Sequence, residues 1–527
     1  MSLSRRPALL ALFAVSLVLP VAAQWQPVDR LDPDVVYRIK DEGLQRSKVM
    51  ELAAYLTDVY GPRLTGSPDF TDGADWAQKT MREWGLANVH TETFPFGRGW
   101  QNRKMFAQAV TPRNYPLIAY PKAWTPGTNG LVTGEAVLVS INSDADFATW
   151  KGKLKGRFVL LARPRALDAR FEPQARRYTD AQLTELETVP QRRFGAPGGP
   201  PPNASAARDL AARTTQFWID EGVAALLEPS RGDGGGTLFV QGGSTLFVQG
   251  GGSRNAADPP VPAQVVLATE QYNRIARTLE LKVPLTLRMD IDNQFLDADL
   301  NGYNVIAELP GTDKAGEVVM LGAHFDSWHT GTSATDNAAG SAVMMEAMRI
   351  LKTAGIPLRR TVRVALWGGE EQGLVGSRAY VKAHFGDPAT RQRTPEHATL
   401  SGYFNVDNGT GQIRGVYLQG NEAIGPLFRS WMEPFRNLGM TTVTIRNTGG
   451  TDHQAFDAVG LPGFQFIQDE VEYNARTHHS NMDVYERLQP NDLMQNAVIV
   501  ASFVAQAANR DQLLPRKPQP NAQPGRP

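Results

Sequence analysis

At 527 residues the chain exceeds what one hydrophobic core usually serves, so two folded units with terminal appendages are expected. Its 54 Lys and Arg balance 54 Asp and Glu, which leaves no global field to gather nucleic acid or an anionic membrane surface. With no cysteine there can be no disulfide, thiolate nucleophile or Cys-held zinc, so any metal site must be built from His and carboxylates.

Residues 1–23 read as a signal peptide, with Arg5 and Arg6, an apolar run from Pro7 to Val21, and a cut near Ala23. The expectation is an exported protein, periplasmic or extracellular, with no stable membrane insertion once this segment is gone. An uncleaved anchor is the competing reading, but the apolar core is short and no later stretch is long and apolar enough to span a bilayer. Residues 24–115 form the N-terminal part of the main domain. Val49, Leu52, Ala53 and Leu56 mark one helix face, Gly61 to Pro68 is a turn-rich loop, Asp75 to Trp84 is helical, and Val89 to Phe94 alternates like a strand.

Residues 116–288 change texture, reading as short strands with few long helices: Gly134 to Val139, Gly156 to Ala162, Ala224 to Glu228 and Gln264 to Ala268. This segment holds a Gly- and Pro-rich stretch, Phe194 to Ser205, and a tandem octad, Thr237-Leu-Phe-Val-Gln-Gly-Gly-Ser followed by Thr245-Leu-Phe-Val-Gln-Gly-Gly-Gly. Two copies are too few for a solenoid, so a surface hairpin or flexible loop is expected, within an inserted lid that offers no catalytic chemistry of its own. In residues 289–510 strands and helices alternate: strands end at Ala323, Trp367, Val406 and Ile467, and helices run from Asn337, Leu374, Ala423 and Pro490. The predicted class is therefore α/β, with a mixed, largely parallel central sheet covered by helices and an inserted β-rich domain. Residues 511–527, with five prolines from Pro515 onward, are expected to be a disordered tail.

Seven of the eight histidines fall between His324 and His479, so metal or acid–base chemistry belongs to that half. An apolar strand ends at His324, where open α/β sheets collect ligands, and Asp326 two residues on can accept the imidazole N–H. Asp336 precedes an Ala-rich helix, and Glu370 and Glu371 stand side by side after Trp367. Alone, each has a plain alternative: a solvent-facing histidine, an N-cap, a charged turn. Together they suggest that Asp336 bridges two metals, that one glutamate ligates, and that the other takes a proton from metal-bound water. Asp407 after Phe404-Asn-Val and the pair His478-His479 supply further ligands. His329, without an acidic partner, reads as a loop residue.

These motifs resemble the two-zinc exopeptidase family that includes secreted bacterial leucyl aminopeptidases and the mammalian plasma glutamate carboxypeptidase. The likeness rests on His324-Phe-Asp326-Ser-Trp with Asp336 twelve residues on, Leu366-Trp-Gly-Gly-Glu370-Glu371-Gln-Gly, the Gly450-Thr451-Asp452 loop, and His478-His479-Ser with Asp483 following. It implies two zinc ions held by His324, Asp336 as bridge, Glu371, Asp407 and His479, with Glu370 as general base and Asp326 supporting His324. His479 is preferred over His478 because the family's ligand lies four residues before an Asp. The resemblance also implies a cis peptide at Asp336-Asn337, a zinc-bridging hydroxide as nucleophile, short peptides as substrates and a protease-associated-like insert, and it allows a homodimer. The direction of cleavage stays open among aminopeptidase, dipeptidase and carboxypeptidase; Arg476, beside the ligand loop, reads as a surface arginine ahead of a partner for a terminal carboxylate. A single-zinc glutaminyl cyclase and an inactive receptor of the same fold are the rival readings.

Overall fold

The computed structural model describes residues 32–188, 204–242 and 252–517. The signal-peptide segment, most of the Gly- and Pro-rich stretch, most of the second octad and the last part of the tail lie outside them.

Two eight-stranded sheets organise the chain. The first runs in the order Ala87–Pro95, Asn301–Leu309, Arg360–Trp367, Lys314–His324, Leu400–Asn405, Gly463–Gln468, Ile413–Tyr417, Thr442–Thr444. Its middle four strands are mutually parallel, whereas Asn301–Leu309 on one side and Ile413–Tyr417 on the other pair antiparallel to them. Strand alternation sends Val319, Leu321, Val362, Val364, Phe404 and Phe464 into one core and Met320, Ala365, Trp367 and Tyr403 into another on the opposite face. Both faces are thus covered, which explains why these strands are nearly continuous apolar runs.

The larger core is closed by Ala339–Thr353 and Pro490–Asn509, both apolar over most of their surface, and by Pro33–Gln45. The smaller is closed by Val375–His384 and His453–Ala458. Helix starts follow local chemistry. Pro68–Glu83 has Pro68 in its first turn, and the Ser67 hydroxyl accepts the Phe70 N–H. That helix begins seven residues before the expected Asp75, because Ser67-Pro68 is a stronger start signal than the apolar spacing. Residues 511–517, expected to be disordered, are instead docked: the Leu514 side chain is buried and Arg516 donates to the His397 carbonyl at 2.7 Å.

The second sheet runs Tyr115–Pro116, Gly99–Thr111, Thr286–Leu296, Leu131–Leu138, Phe158–Leu160, Ala225–Pro229, Gln264–Leu267, Ala119–Pro121. The four strands expected here are present. Helices are longer than expected: Thr269–Glu280 covers one face and Ala204–Glu221 the other, because Val139, Val159 and Leu226 on that second face need an apolar cover such as Trp218. Among the described residues no helix is long and apolar enough to cross a membrane.

Candidate metal centre

The carboxyl ends of the parallel strands converge. Lys314–His324 ends on His324, Arg360–Trp367 leads through two glycines to Glu370 and Glu371, and Leu400–Asn405 leads to Asp407. Asp336 arrives from the turn before Ala339–Thr353, and His478 and His479 from the loop after Tyr473–Thr477. Asp336 is the centre of the cluster. Its Oδ1 lies 3.1 Å from His324 Nε2, which is also 3.4 Å from Asp407 Oδ1. Its Oδ2 lies 3.2 Å from His479 Nε2, which is also 2.8 Å from Glu371 Oε2. One carboxylate therefore faces two His–carboxylate pairs, one through each oxygen.

The donor set fits divalent ions. Atoms held about 2.1 Å from a shared tetrahedral ion lie about 3.4 Å apart, close to the separations found here. Glu371 Oε1 is buried without a hydrogen-bond partner, and Asp336 Oδ2 and Asp407 Oδ1 are buried with only the histidine nitrogens facing them, a crowding of anions that a cation relieves. His324, Asp336 and Asp407 form one group with ligating atoms all within 4.8 Å of one another, and Asp336, His478 and His479 form a second. His478 thus joins the cluster, at 3.8 Å from Asp336 Oδ2, but only His479 also meets Glu371.

Surrounding groups hold these side chains in place. Asp483 accepts the Thr335 and Asp336 N–H groups at 2.7 and 3.0 Å, fixing the loop that carries the bridging acid, whose peptide bond to Asn337 is cis. The Asn337 side chain donates to the Val406 carbonyl at 2.9 Å and accepts the Gly340 N–H at 2.9 Å, tying this turn to the Asp407 loop. At Gly340 a Cβ would come within 2.4 Å of Asn337 Oδ1 and 2.5 Å of the Val406 carbonyl, so only glycine fits. From the Gly61–Ser67 loop, Arg63 donates to the Phe325 carbonyl at 2.8 Å and the Thr65 hydroxyl accepts the Gly369 N–H at 2.8 Å.

Asp326 differs from expectation in detail. His324 Nδ1 meets its backbone carbonyl at 2.9 Å, while its carboxylate stands 3.7 Å from the ring and accepts the Glu370 N–H at 3.1 Å. The carboxylate thereby braces the glutamate turn, and the strand-end backbone orients the histidine. His329 is a loop residue as expected, and it is tied down: its Nε2 donates to Pro121 O at 2.7 Å and its ring meets Trp100 edge to face at 4.9 Å. Arg476 is occupied by Glu472 at 3.5 Å and by Gln174.

Asp452 was singled out only as part of a loop motif. It is fully buried with neither carboxylate oxygen hydrogen-bonded, and the nearby Ser377 hydroxyl donates to Leu374 O at 3.4 Å. Burial pushes its carboxyl up to about 7, against the opposing pull of His324. Burial likewise raises Glu370 well above the usual carboxylate range, with Asp407, Asp452 and Glu371 adding repulsion and His324 opposing. So many buried acids around the histidines suit a pocket that holds positive charge.

Residues 304–504 match the description Peptidase family M28. This stretch belongs to that family. The chain is accordingly a metallopeptidase, and the M28 stretch contains every residue of the cluster. Carboxypeptidase Q of Rattus norvegicus is 26% identical over 481 residues, covering 90% of this chain and 88% of its own. The structure of a Peptidase M28 precursor from Shewanella amazonensis has a TM-score of 0.63 at 22% identity and covers 92% of this chain and 98% of its own. A zinc aminopeptidase from Bacillus subtilis has a TM-score of 0.54 at 17% identity, covering 88% and 95%. These likenesses extend over the second sheet as well as the M28 stretch.

Proposed function

We propose that the chain is an exported exopeptidase that hydrolyses terminal bonds of short, unblocked peptides with two zinc ions. The observation that carries this reading is the division of the Asp336 carboxylate between the His324–Asp407 and His479–Glu371 pairs. Mixed imidazole and carboxylate donors suit zinc, and the Bacillus subtilis structure is that of a zinc aminopeptidase. The acid in each pair favours two ions over the single zinc of a glutaminyl cyclase, and the retained base argues against an inactive receptor.

Ions held there acidify water and polarise a scissile carbonyl. Glu370 is the residue free to move the proton. Its backbone is pinned by Asp326, and no hydrogen bond ties its carboxylate among the described residues. It takes a proton from the attacking water and returns it to the leaving amine. His478, whose ring stacks on Tyr473, is kept neutral by burial and by His479, its pKa lowered to about 4; its ring N–H is the donor available to an oxyanion.

The test is metal content by elemental analysis, with hydrolysis of a panel of dipeptides, one tripeptide and aminoacyl amides before and after chelation. Two ions per chain and chelator-sensitive cleavage are expected, and the tripeptide products give the direction. One ion per chain with pyroglutamate formation, or no firmly held ion, overturns the reading.

A further inference from the structure

The described part of the first octad, residues 237–242, is not a free surface loop. Leu238 and Val240 are buried with Val266 and Ala268 of the inserted domain, and strand alternation turns Phe239 to the other face, where Arg231 lies over its ring at 5.2 Å. Phe239 forms an antiparallel bridge with Ser480, flanked by Val240 N donating to His479 O at 3.0 Å and Asn481 N donating to Leu238 O at 3.1 Å. The Asn481 side chain closes the register, accepting from Leu238 N at 2.7 Å and donating to Gly236 O at 3.2 Å. In this register the Gln241 amide rests on Nδ1 of His479. At Gly242 the backbone lies close against Ala123, whose Cβ a Cβ there would meet at 2.4 Å.

A histidine that binds a metal through Nε2 must carry its proton on Nδ1, and needs an acceptor there to hold tautomer and ring plane. His324 finds that acceptor locally, in the Asp326 carbonyl at 2.9 Å. His479 stands in the left-handed region at φ 61°, and among the described residues its Nδ1 has Gln241 as its hydrogen-bond partner. A half-turn of the amide, whose two ends are alike in size, presents Oε1 to an Nδ1–H.

We propose that Gln241 is a positioning residue for the metal centre: docking of the first octad holds His479 in the tautomer that binds an ion, so the inserted domain completes the site. This rests on the two-metal reading above. The test is zinc affinity by competition with a chromophoric chelator, measured without substrate on the full chain, for wild type, Gln241→Ala, Gln241→Met and Gln241→Glu. Because Gln249 holds the same place in the second octad, the double variant Gln241→Ala/Gln249→Ala is included to exclude rescue by the repeat. Expected are a loss of roughly 10–100-fold in the affinity of one ion for the Ala, Met and double variants, and recovery in Gln241→Glu, whose carboxylate accepts the same N–H. The second ion should keep its affinity, and the circular dichroism of the metal-free variants should match wild type. The Met variant fills the same volume, so its behaviour separates loss of the acceptor from loss of packing. Wild-type affinity for both ions in the Met and double variants overturns the role of Gln241 while leaving the two-metal reading intact. A wild type that binds no zinc overturns both.

Discussion

Loading the metal-free enzyme with zinc at pH 7 should expel more than one proton, and the release follows from the cluster's charges. His479 lies between Asp336 and Glu371; burial disfavours its charge, but Glu371 and Asp336 together push its pKa up to about 10. For His324 burial is likewise outweighed, here by Asp407 and Glu370, and its pKa stands well above the ordinary value. Burial and Asp336 push the Glu371 carboxyl up to about 7. Each group must shed its proton before its lone pair can bind an ion. At pH 7 the His479 ring contributes one proton and Glu371 about half of one, and the raised His324 and Glu370 add to the release. Each proton lost makes apparent affinity rise about tenfold per pH unit. Chelator competition from pH 6 to 7.5, corrected for the chelator's own protonation, gives this slope, and calorimetry in two buffers of different ionisation enthalpy gives the proton count directly. Release of fewer than one proton would mean that both rings are already neutral without metal, and the placing of Asp336 between two protonated histidines would be refuted.

Glu370→Gln should keep both ions and lose about 10²–10⁴-fold in turnover; full activity with full metal content would remove Glu370 from the chemistry. Phe503→Ala, which empties the space between Phe428, Trp431 and Phe466 with ring centroids 5.4–5.6 Å away, should cost about 3–5 kcal/mol in urea unfolding without altering metal stoichiometry. His384 bonds Glu92 at 2.9 Å and Glu396 at 3.1 Å. The Glu92 hydrogen bond, partly offset by burial, raises the His384 pKa above its ordinary value. Its stabilising contribution is complete below the unfolded pKa of about 6.5 and fades as pH rises through the higher folded value. The urea midpoint of His384→Gln should therefore fall furthest behind wild type near pH 5.5 and close the gap toward pH 9; a gap that widens with pH would contradict the pairing.

What could be read from the sequence was whatever the strand ends carry. His324, Glu370, Glu371 and Asp407 each follow an apolar run within a few residues, so locating the strands located the side chains. The helix before which Asp336 sits was also legible, though its regular part starts at Ala339 because the preceding turn is spent on orienting the acid. Long-range contacts left no local trace. Nothing about Thr237-Leu-Phe-Val-Gln241 signals that it pairs with residues 479–481, and two copies of the octad, too few for a solenoid, point only to a surface hairpin or flexible loop. The antiparallel strand Ile413–Tyr417 went unread because its pattern is broken by Arg414 and Gly415. Two adjacent histidines, His478 and His479, both reach Asp336, and the spacing to Asp483 distinguishes them only by likeness; the backbone turn at His479 is what aims one ring at Glu371.

The strand Gly463–Gln468 occupies an interior place in the first sheet, between Leu400–Asn405 and Ile413–Tyr417, although it is the last of that sheet to be synthesised. Until the ribosome has delivered it, Leu400–Asn405 lacks a neighbour on one side, and His479 and Asp483 do not yet exist. Local helices can form early, but the sheet closes only through pairings of large sequence separation, which are slow and leave unpaired edges open to aggregation. A chain that has not yet placed this strand cannot assemble the metal site, and its open sheet edge is exposed to aggregation.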